Sequence, residues 1–251
     1  MDLRRIIVCA LGLAGFVPGA LAQQSITSYF GYYTQDFNST ISSGSTTTLP
    51  TGWIANTAGT TVTAGDGSSG TARYYLFGAT SSAERALGSV DNAGTRTIGV
   101  YFQNNTGQTI TQLSIAYTGE QWRGGTSASS DKLNFAYSTT AGSSLTTGTW
   151  TAVTDLDFAS PNPATTGALV GNNAPNFTRT SAVITGLSIA DGGTFKLRWQ
   201  DLAVAGNDDG LSVDDFAIAV PEPATVGAGV FLGAMVAAGW YRRHRARRAK
   251  V

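Results

Sequence analysis

Apolar and polar side chains alternate with a period of two along much of the central part of the chain. In TIGVYFQN (97–104), the side chains of Ile98, Val100 and Phe102 fall on one face of an extended segment. The same alternation occurs in LSIAY (113–117), KLNFAYS (132–138) and TFKLRWQ (194–200). This pattern is typical of β-strands that are buried on one side, and no stretch shows the i, i+3, i+4, i+7 spacing of an amphipathic helix. The chain is therefore predicted to be all-β.

Short segments rich in Gly, Asn, Ser and Asp separate the predicted strands. They are NNTGQT (104–109), TTAGSS (139–144) and ADGG (190–193), and a longer polar loop covers residues 160–178. Such segments fit hairpin turns and short loops. Many short strands with turns between them favour an antiparallel β-sandwich of the jelly-roll kind, formed as one domain by residues 23–219.

The N-terminus has the layout of a secretory signal peptide. Arg4 and Arg5 precede an apolar run, and Ala20-Leu21-Ala22 supplies small residues at a cleavage site. Residues 1–22 are therefore predicted to be removed before Gln23, and the alternative is an uncleaved anchor. The single cysteine, Cys9, lies in this segment, so the mature chain has no disulfide framework and no cysteine ligand or nucleophile.

The C-terminus combines three features, which occupy residues 220–251. Val220-Pro221-Glu222-Pro223 ends the predicted sandwich, because proline interrupts both helices and central strands. Residues 224–241 carry no charge and are just long enough for a transmembrane helix. The basic tail 242–251 follows, with arginines at Arg242, Arg243, Arg245, Arg247 and Arg248. The excess of positive charge predicts that the tail is cytoplasmic and the sandwich lies outside.

The charge of the chain is unevenly distributed. Residues 23–220 contain eight basic and fourteen acidic residues, a net charge of −6, whereas the last ten residues contain six basic residues and no acidic ones. A mildly acidic domain lacks the basic face that nucleic acid requires. We therefore expect no nucleic-acid partner.

The sequence offers little for catalysis. The only histidine, His244, lies in the basic tail, so the body has no Ser-His-Asp or Cys-His arrangement and no histidine metal ligand. A pair of carboxylates such as Glu84 and Glu120 could serve glycoside hydrolysis, but the sequence gives no reason to bring them together. The protein is predicted not to be an enzyme, and a glycoside hydrolase is the least favoured function.

An acidic segment, NDDGLSVDDFAI (207–218), is the densest polar feature of the body. Asp208, Asp209 and Gly210 fit a turn, and strand alternation places Asp214 and Asp215 on opposite faces. A carboxylate that faces the core needs an arginine, backbone donors or a hard cation such as calcium as its partner. The alternative is a solvated acidic turn with one hydrogen-bonded aspartate.

Trp122 lies where a predicted strand meets a Gly-Ser loop, in YTGEQWRGGTS (117–127). It could form an exposed platform for a sugar ring, with Glu120 and Arg123 as polar neighbours, or it could pack in the core. Exposure of Trp122 would favour the sugar site, and burial would count against it. Trp199, which alternates with core residues, is predicted to be buried.

Two resemblances add to this interpretation. The order VPEP, apolar helix and Arg-rich end closely resembles the PEP-CTERM sorting signal of Gram-negative bacteria. That resemblance implies anchoring in the inner membrane, cleavage near the motif by an exosortase, and delivery to the cell surface or extracellular matrix. The opening YYTQDFNST…LPTGWIAN and the closing LSVDDFAI are similar to the ends of concanavalin-like and MAM-type jelly-roll modules. This second resemblance implies adjacent first and last strands and a structural calcium, with Asp36 near Asp214 or Asp215.

The sequence thus predicts an exported, exosortase-sorted protein of the cell surface or biofilm matrix with a structural or adhesive β-sandwich. The alternative function is that of a carbohydrate-binding module that recognises exopolysaccharide at Glu120, Trp122 and Arg123.

Overall fold

The structure of the protein is a computed structural model that describes residues 22–221, except residues 30, 93, 127–129, 143 and 205. Within these residues the chain forms sixteen β-strands in two sheets and one turn of 3-10 helix, Thr154–Leu156. The prediction of an all-β fold is therefore confirmed.

The first sheet has seven strands and contains most of the segments that alternate with a period of two. Its strands are β1 (Gln24–Ile26), β4 (Trp53–Ala55), β8 (Thr95–Asn104), β10 (Lys132–Ser138), β11 (Thr151–Ala152), β12 (Phe158–Ala159) and β15 (Thr194–Leu202). The order β1-β8-β15-β10-β11 forms the body of the sheet, with β4 paired to β8 and β12 paired to β10.

The second sheet has nine strands and contains the acidic segment. Its strands are β2 (Tyr32–Gln35), β3 (Ser45–Thr46), β5 (Val62–Gly65), β6 (Arg73–Phe77), β7 (Ala86–Val90), β9 (Leu113–Gly124), β13 (Gly167–Ala168), β14 (Phe177–Ile184) and β16 (Gly210–Ala219). Two pairings, β1 with β8 and β5 with β6, are parallel, so both sheets are mixed. The prediction of a purely antiparallel sandwich is therefore wrong in this respect.

The core lies between the inner faces of the two sheets. Alternate residues of β8 and β15 from the first sheet pack against residues of β9 and β16 from the second. Trp199 lies at the centre with no exposed surface, stacked on Trp53 at 5.8 Å between ring centroids and in edge contact with Tyr117 and Phe216. The predicted burial of Trp199 is thus confirmed, and the two sheets form a β-sandwich.

The C-terminal part of the predicted domain is continuous with this core. Val220, directly after β16, is part of the main hydrophobic cluster, and Pro221 is buried. Glu222, Pro223, the predicted helix 224–241 and the tail with Arg242, Arg243, Arg245, Arg247 and Arg248 lie outside the described residues, as does the signal segment up to residue 21. Residues 22–221, apart from the gaps given above, contain no helix with the length and apolar character needed to cross a bilayer.

Candidate functional site

The outer face of the first sheet is built by strict alternation along β15. Phe195, Leu197 and Trp199 belong to the core, whereas Lys196 and Arg198 point to the opposite face. This outer face is flanked by the loop 139–150, which connects β10 to β11. The loop covers the part of the outer face that contains Lys196 and Arg198.

Leu145 fastens the loop 139–150 to the sheet. It is fully buried beside Ile54 and Tyr101 in a small apolar cluster on the outer face. Gly99 of β8 makes this approach possible, because a Cβ at that position would lie 2.8 Å from a Leu145 methyl group and 2.4 Å from the Leu197 carbonyl oxygen. The loop is thus held by packing against a strand that lacks a side chain at this point.

Two cations beneath the loop hold its backbone. Lys196 Nζ donates to the carbonyl oxygens of Gly142 and Ser144 at 3.3 and 3.0 Å, and an Arg198 guanidinium nitrogen donates to that of Leu145 at 2.8 Å. Burial lowers the pKa of both Lys196 and Arg198. Because Lys196 Nζ and one Arg198 nitrogen donate to the backbone of the loop, these two side chains support the face from beneath.

Trp150, at the end of the loop, is an aromatic side chain of this face that retains exposed surface, unlike the buried Tyr101. Its ring centroid lies 4.1 Å from the central carbon of the Arg198 guanidinium and 5.3 Å from Lys196 Nζ. Trp150 Nε1 donates to the Thr147 carbonyl oxygen at 3.0 Å, and the side chain is half-buried. Cation–π contacts of this kind hold an indole in a fixed orientation.

A row of polar side chains crosses three adjacent strands, and it includes Gln200, two residues along β15 from the Arg198 that contacts Trp150. Asn134 of β10 lies opposite Gln200 of β15, which lies opposite Thr97 of β8. Asn134 Nδ2 donates to the Gln200 carbonyl oxygen at 3.3 Å, and Gln200 Nε2 donates to Thr97 Oγ1 at 3.4 Å. Both amides are half-buried, so each retains surface toward solvent. We call Trp150, Asn134, Arg198 and Gln200 the Trp150 face.

The three residues predicted to bind a sugar lie elsewhere, on β9 in the second sheet. Trp122 is only 1% exposed, stacks on Phe77 at 6.3 Å, and its Nε1 donates to a Glu120 carboxylate oxygen at 2.9 Å. Gly171 packs on the indole so closely that an added Cβ would lie 2.4 Å from Nε1. The condition that Trp122 be exposed is not met, and its burial counts against a sugar platform at this position.

Arg123 also has a structural environment. One guanidinium nitrogen donates to the carbonyl oxygens of Gly67 and Ser68 at 3.1 and 3.0 Å, which ties the loop between β5 and β6 to the end of β9. The residues predicted to bind a sugar therefore have structural contacts. Arg123 holds the loop between β5 and β6, and the indole of Trp122 packs on Gly171 and donates to Glu120.

Glu84 and Glu120 lie close to each other and to Asp214, a proximity that no feature of the sequence predicted. One carboxylate oxygen from each of the three lies within 4.8 Å of the others. Glu120 is completely buried and engaged by the Trp122 indole, and Glu84 accepts a hydrogen bond from Asn172 Nδ2. A glycosidase needs its two carboxylates in a cleft that admits a glycan. The burial of Glu120 therefore does not favour hydrolysis.

The predicted calcium ligands Asp36, Asp214 and Asp215 are only partly gathered. β2 pairs with β16 as the resemblance implied, with Gln35 opposite Phe216, which places Asp36 at the same end as Asp215. Among the described residues, however, Asp214 groups with Glu84 and Glu120, and Asp36 belongs to no metal-ligating group. Calcium at this position stays a prediction.

A β-bulge in β16 changes where the two aspartates point. The register with β9 shifts between Asp214 and Ala217, and Asp215 has a positive φ of 47°. Asp215 Oδ2 accepts a hydrogen bond from Thr118 Oγ1 at 3.4 Å, on the side of the sheet away from the core. Strict alternation, which would turn one of the two carboxylates inward, fails because the bulge inserts an extra residue.

No family model and no curated protein matches the chain. The solved structures that are similar to it include the following three. The CBM22-1 xylan-binding domain of Paenibacillus barcinonensis Xyn10C is 10% identical, with a TM-score of 0.39, and the match covers 79% of this chain and 99% of that one.

The second is the family 11 carbohydrate-binding module of Clostridium thermocellum in complex with a β-1,3-1,4-mixed-linked tetrasaccharide. It is 10% identical, has a TM-score of 0.36, and the match covers 76% and 96% of the two chains. The third, the N-terminal cellulose-binding domain of Cellulomonas fimi β-1,4-glucanase C, is 13% identical with a TM-score of 0.35, covering 71% and 95%. Likenesses at this level assign neither a family nor a ligand to the chain.

Proposed function

We propose that the protein is an exported, non-catalytic jelly-roll β-sandwich that binds polysaccharide at the Trp150 face. The observation that carries the proposal is the position of Trp150, a half-buried indole braced from behind by Arg198 on the outer face of the first sheet. A sugar ring presents apolar C–H groups on its faces and hydroxyl groups around its edge. It therefore fits an aromatic ring that has polar neighbours.

The amides of the Trp150 face supply the polar part of such a site. Asn134 and Gln200 each offer both donors and acceptors on a planar group, which suits the hydroxyl groups of a pyranose ring. They lie on rigid, adjacent strands, so little conformational entropy is lost on binding. Because the body carries a net charge of −6, we expect a neutral glycan chain to bind better than an acidic one.

Substitution of Trp150 tests the proposal. We expect Trp150→Ala to weaken binding of the full-length protein to exopolysaccharide from its host at least tenfold, about 1.4 kcal/mol, in affinity electrophoresis. Soluble xylan and mixed-linkage β-glucan serve as defined probes. Tyr32→Ala is the matched control, because Tyr32 is 61% exposed on the other sheet.

Equal mobility shifts for Trp150→Ala and wild type would exclude this face, and no retardation by any glycan would leave the structural or adhesive role in the matrix. A melting curve for each variant separates loss of binding from loss of folding.

Export and sorting form the second part of the proposal. We infer that residues 1–22 direct secretion and that Val220-Pro221-Glu222-Pro223, the apolar segment 224–241 and the basic tail anchor the protein in the inner membrane. An exosortase then cleaves near the motif and releases the sandwich to the cell surface or matrix. The order of the three C-terminal features supports this route.

A further inference from the structure

A second group of carboxylates lies at one end of the sandwich and shares no residue with the Trp150 face or with the group of Glu84, Glu120 and Asp214. It consists of Asp131, directly before β10, Asp201 in β15, and Asp208, two residues before β16. One carboxylate oxygen from each lies within 4.8 Å of the other two. The register of the first sheet brings two of them together, because Leu133 lies opposite Asp201.

All three carboxylates are removed from solvent. Asp131 and Asp201 are 1% exposed, and Asp208 has no exposed surface. Among the described residues, the ion pairs are Arg96 with Asp91 and Lys132 with Asp157. Neither pair includes Asp131, Asp201 or Asp208. A buried carboxylate without a countercharge costs several kcal/mol, and an arrangement of three is relieved either by protonation or by a bound cation.

Each of the three carboxylates has one oxygen in use and one oxygen without a partner. The donors to the first oxygens are the Lys132 amide to Asp131 Oδ1 at 2.7 Å, the Ser89 hydroxyl to Asp201 Oδ2 at 2.6 Å, and the Val204 amide to Asp208 Oδ1 at 3.0 Å. The second oxygens, Asp131 Oδ2, Asp201 Oδ1 and Asp208 Oδ2, are buried and accept no hydrogen bond from the described part of the chain. The hydrogen bonds thus fix the three side chains and leave one oxygen of each for a ligand.

The two nearby aspartates differ from these three. Asp209 is satisfied by the protein, since its oxygens accept hydrogen bonds from the Gly125 amide at 2.6 Å, from Gln121 Nε2 at 3.1 Å and from the Ser160 hydroxyl. Asp91 lies 3.7 Å from Arg96. Their charges nevertheless add to the negative potential at the group.

Burial, together with the neighbouring aspartates, raises the pKa of Asp131 to about 7 and that of Asp208 to about 6, and places the pKa of Asp201 well above its usual value. These shifts report the same uncompensated charge that the geometry shows.

We propose that Asp131, Asp201 and Asp208 bind one calcium ion that joins the two sheets at this end of the sandwich. The donors are all oxygens, which suits a hard cation and not zinc or copper. Two oxygens on opposite sides of a calcium ion are about 4.8 Å apart, because Ca–O bonds are about 2.4 Å long, so the observed spacing is within reach. Magnesium demands a smaller octahedral shell and keeps several waters, which makes it the poorer fit.

The structural consequence of binding follows from which elements the ion would connect. Asp201 lies in β15 of the first sheet and Asp131 leads into β10 of the same sheet, whereas Asp208 leads into β16 of the second. The hydroxyl of Ser89, in β7 of the second sheet, already donates a hydrogen bond to Asp201. Since a ligand that binds only the folded state stabilises it, calcium should raise the melting temperature.

The test is thermal unfolding of the full-length protein in detergent, after treatment with EDTA and dialysis, with calcium or magnesium added back. We expect calcium at about one hundred times its dissociation constant to raise Tm by about 5–10 °C. Isothermal titration with calcium chloride should show one binding event fewer for Asp201→Asn than for wild type.

Variants locate the site. Asp201→Asn and Asp131→Asn should lose the calcium-dependent rise in Tm while melting in EDTA no lower than wild type, because each removes a like charge from the group. Asp155→Asn is the matched control, since Asp155 is an exposed aspartate on the nearby 3-10 turn, and it should respond as wild type does.

Three results would overturn the proposal. An unchanged Tm and no heat of binding at millimolar calcium would exclude a site altogether, whereas an equal calcium response in wild type and both Asn variants would place the ion elsewhere. An equal response to magnesium at the same concentration would exclude the assignment to calcium. Glycan binding enters none of these readouts, so the outcome is independent of the Trp150 face.

Discussion

At the scale of single residues, Arg85 shows how this fold accommodates a buried charge with backbone carbonyl oxygens. Its side chain is 1% exposed, and its guanidinium donates to backbone carbonyl oxygens: Ile41 at 2.9 Å, Ala79 at 3.2 Å, Glu84 at 3.1 Å, and Ser42. Burial lowers the pKa of Arg85, but a guanidinium stays protonated in proteins. The planar fork thus holds the loop after β2 against the turn between β6 and β7.

Arg85→Lys tests the role of the fork, because lysine keeps the charge but cannot reach four carbonyl oxygens in one plane. We expect the free energy of unfolding to fall by about 2–3 kcal/mol, from buried acceptors that lose their donors. Urea unfolding of the mature protein measures the change. Arg73→Lys is the control at an exposed arginine of β6, and an identical midpoint for Arg85→Lys and wild type would contradict the argument.

At the scale of elements, the strands that could be predicted were those whose apolar core residues alternate with more polar ones. Alternation found β8, β10, β15 and the first part of β9 because the alternate apolar residues of each pack on the core, although both faces of β9 are buried. It missed β6, RYYLF, since Tyr75 and Phe77 on its outer side form a second small core with Trp122 and leave no polar face. It also missed β14, an edge strand whose side chains are mostly exposed or half-buried.

The two candidate sites could likewise be predicted only where they depend on alternation within one strand. The outward positions of β15 were apparent in the sequence, but the position of Trp150 depends on Leu145 meeting Gly99, about 45 residues away along the chain. The turn at Asp208 and Asp209 is buried, so the alternative of a solvated acidic turn is wrong. The pairing of β10 with β15 places Asp131 and Asp201 next to this turn. Contacts between distant strands of this kind leave no periodic signal.

Gly99→Ala tests how the loop 139–150 is held on the first sheet. The new methyl group would overlap the Leu145 side chain and approach the Leu197 carbonyl oxygen, so we expect a loss of about 1–3 kcal/mol and weaker glycan binding at the Trp150 face. Urea unfolding and affinity electrophoresis measure the two effects. Gly94→Ala is matched, since its nearest neighbouring atom is 3.9 Å from an added Cβ. A Gly99→Ala variant as stable as Gly94→Ala would show that the loop adapts freely.

At the scale of the whole molecule, the sandwich runs directly into the proposed sorting motif. Val220 has no exposed surface and belongs to the main core, and Pro221 is buried, so no linker separates β16 from Glu222. An enzyme that cleaves after Pro221 therefore has to bind its substrate motif directly beside the folded sandwich. Substitution of Val220 or Pro221 would therefore alter the core together with the motif, and Glu222 is the first residue of the motif outside the described residues.

Intact-mass analysis of the protein from its host, with membrane and extracellular fractions separated, tests the whole route. We expect the mature species to begin at Gln23, to lack the segment after Pro223, and to lie outside the membrane, because removal of the apolar segment removes its anchor. Glu222→Ala should keep the fold, leave Val220 and Pro221 in place, and accumulate uncleaved in the membrane fraction. Lys250→Ala, which changes one charge of the tail, serves as the processed control. A wild-type species that retains its arginine tail in the membrane would instead mean a permanent anchor, and the Trp150 face would then act on glycans held at the membrane surface.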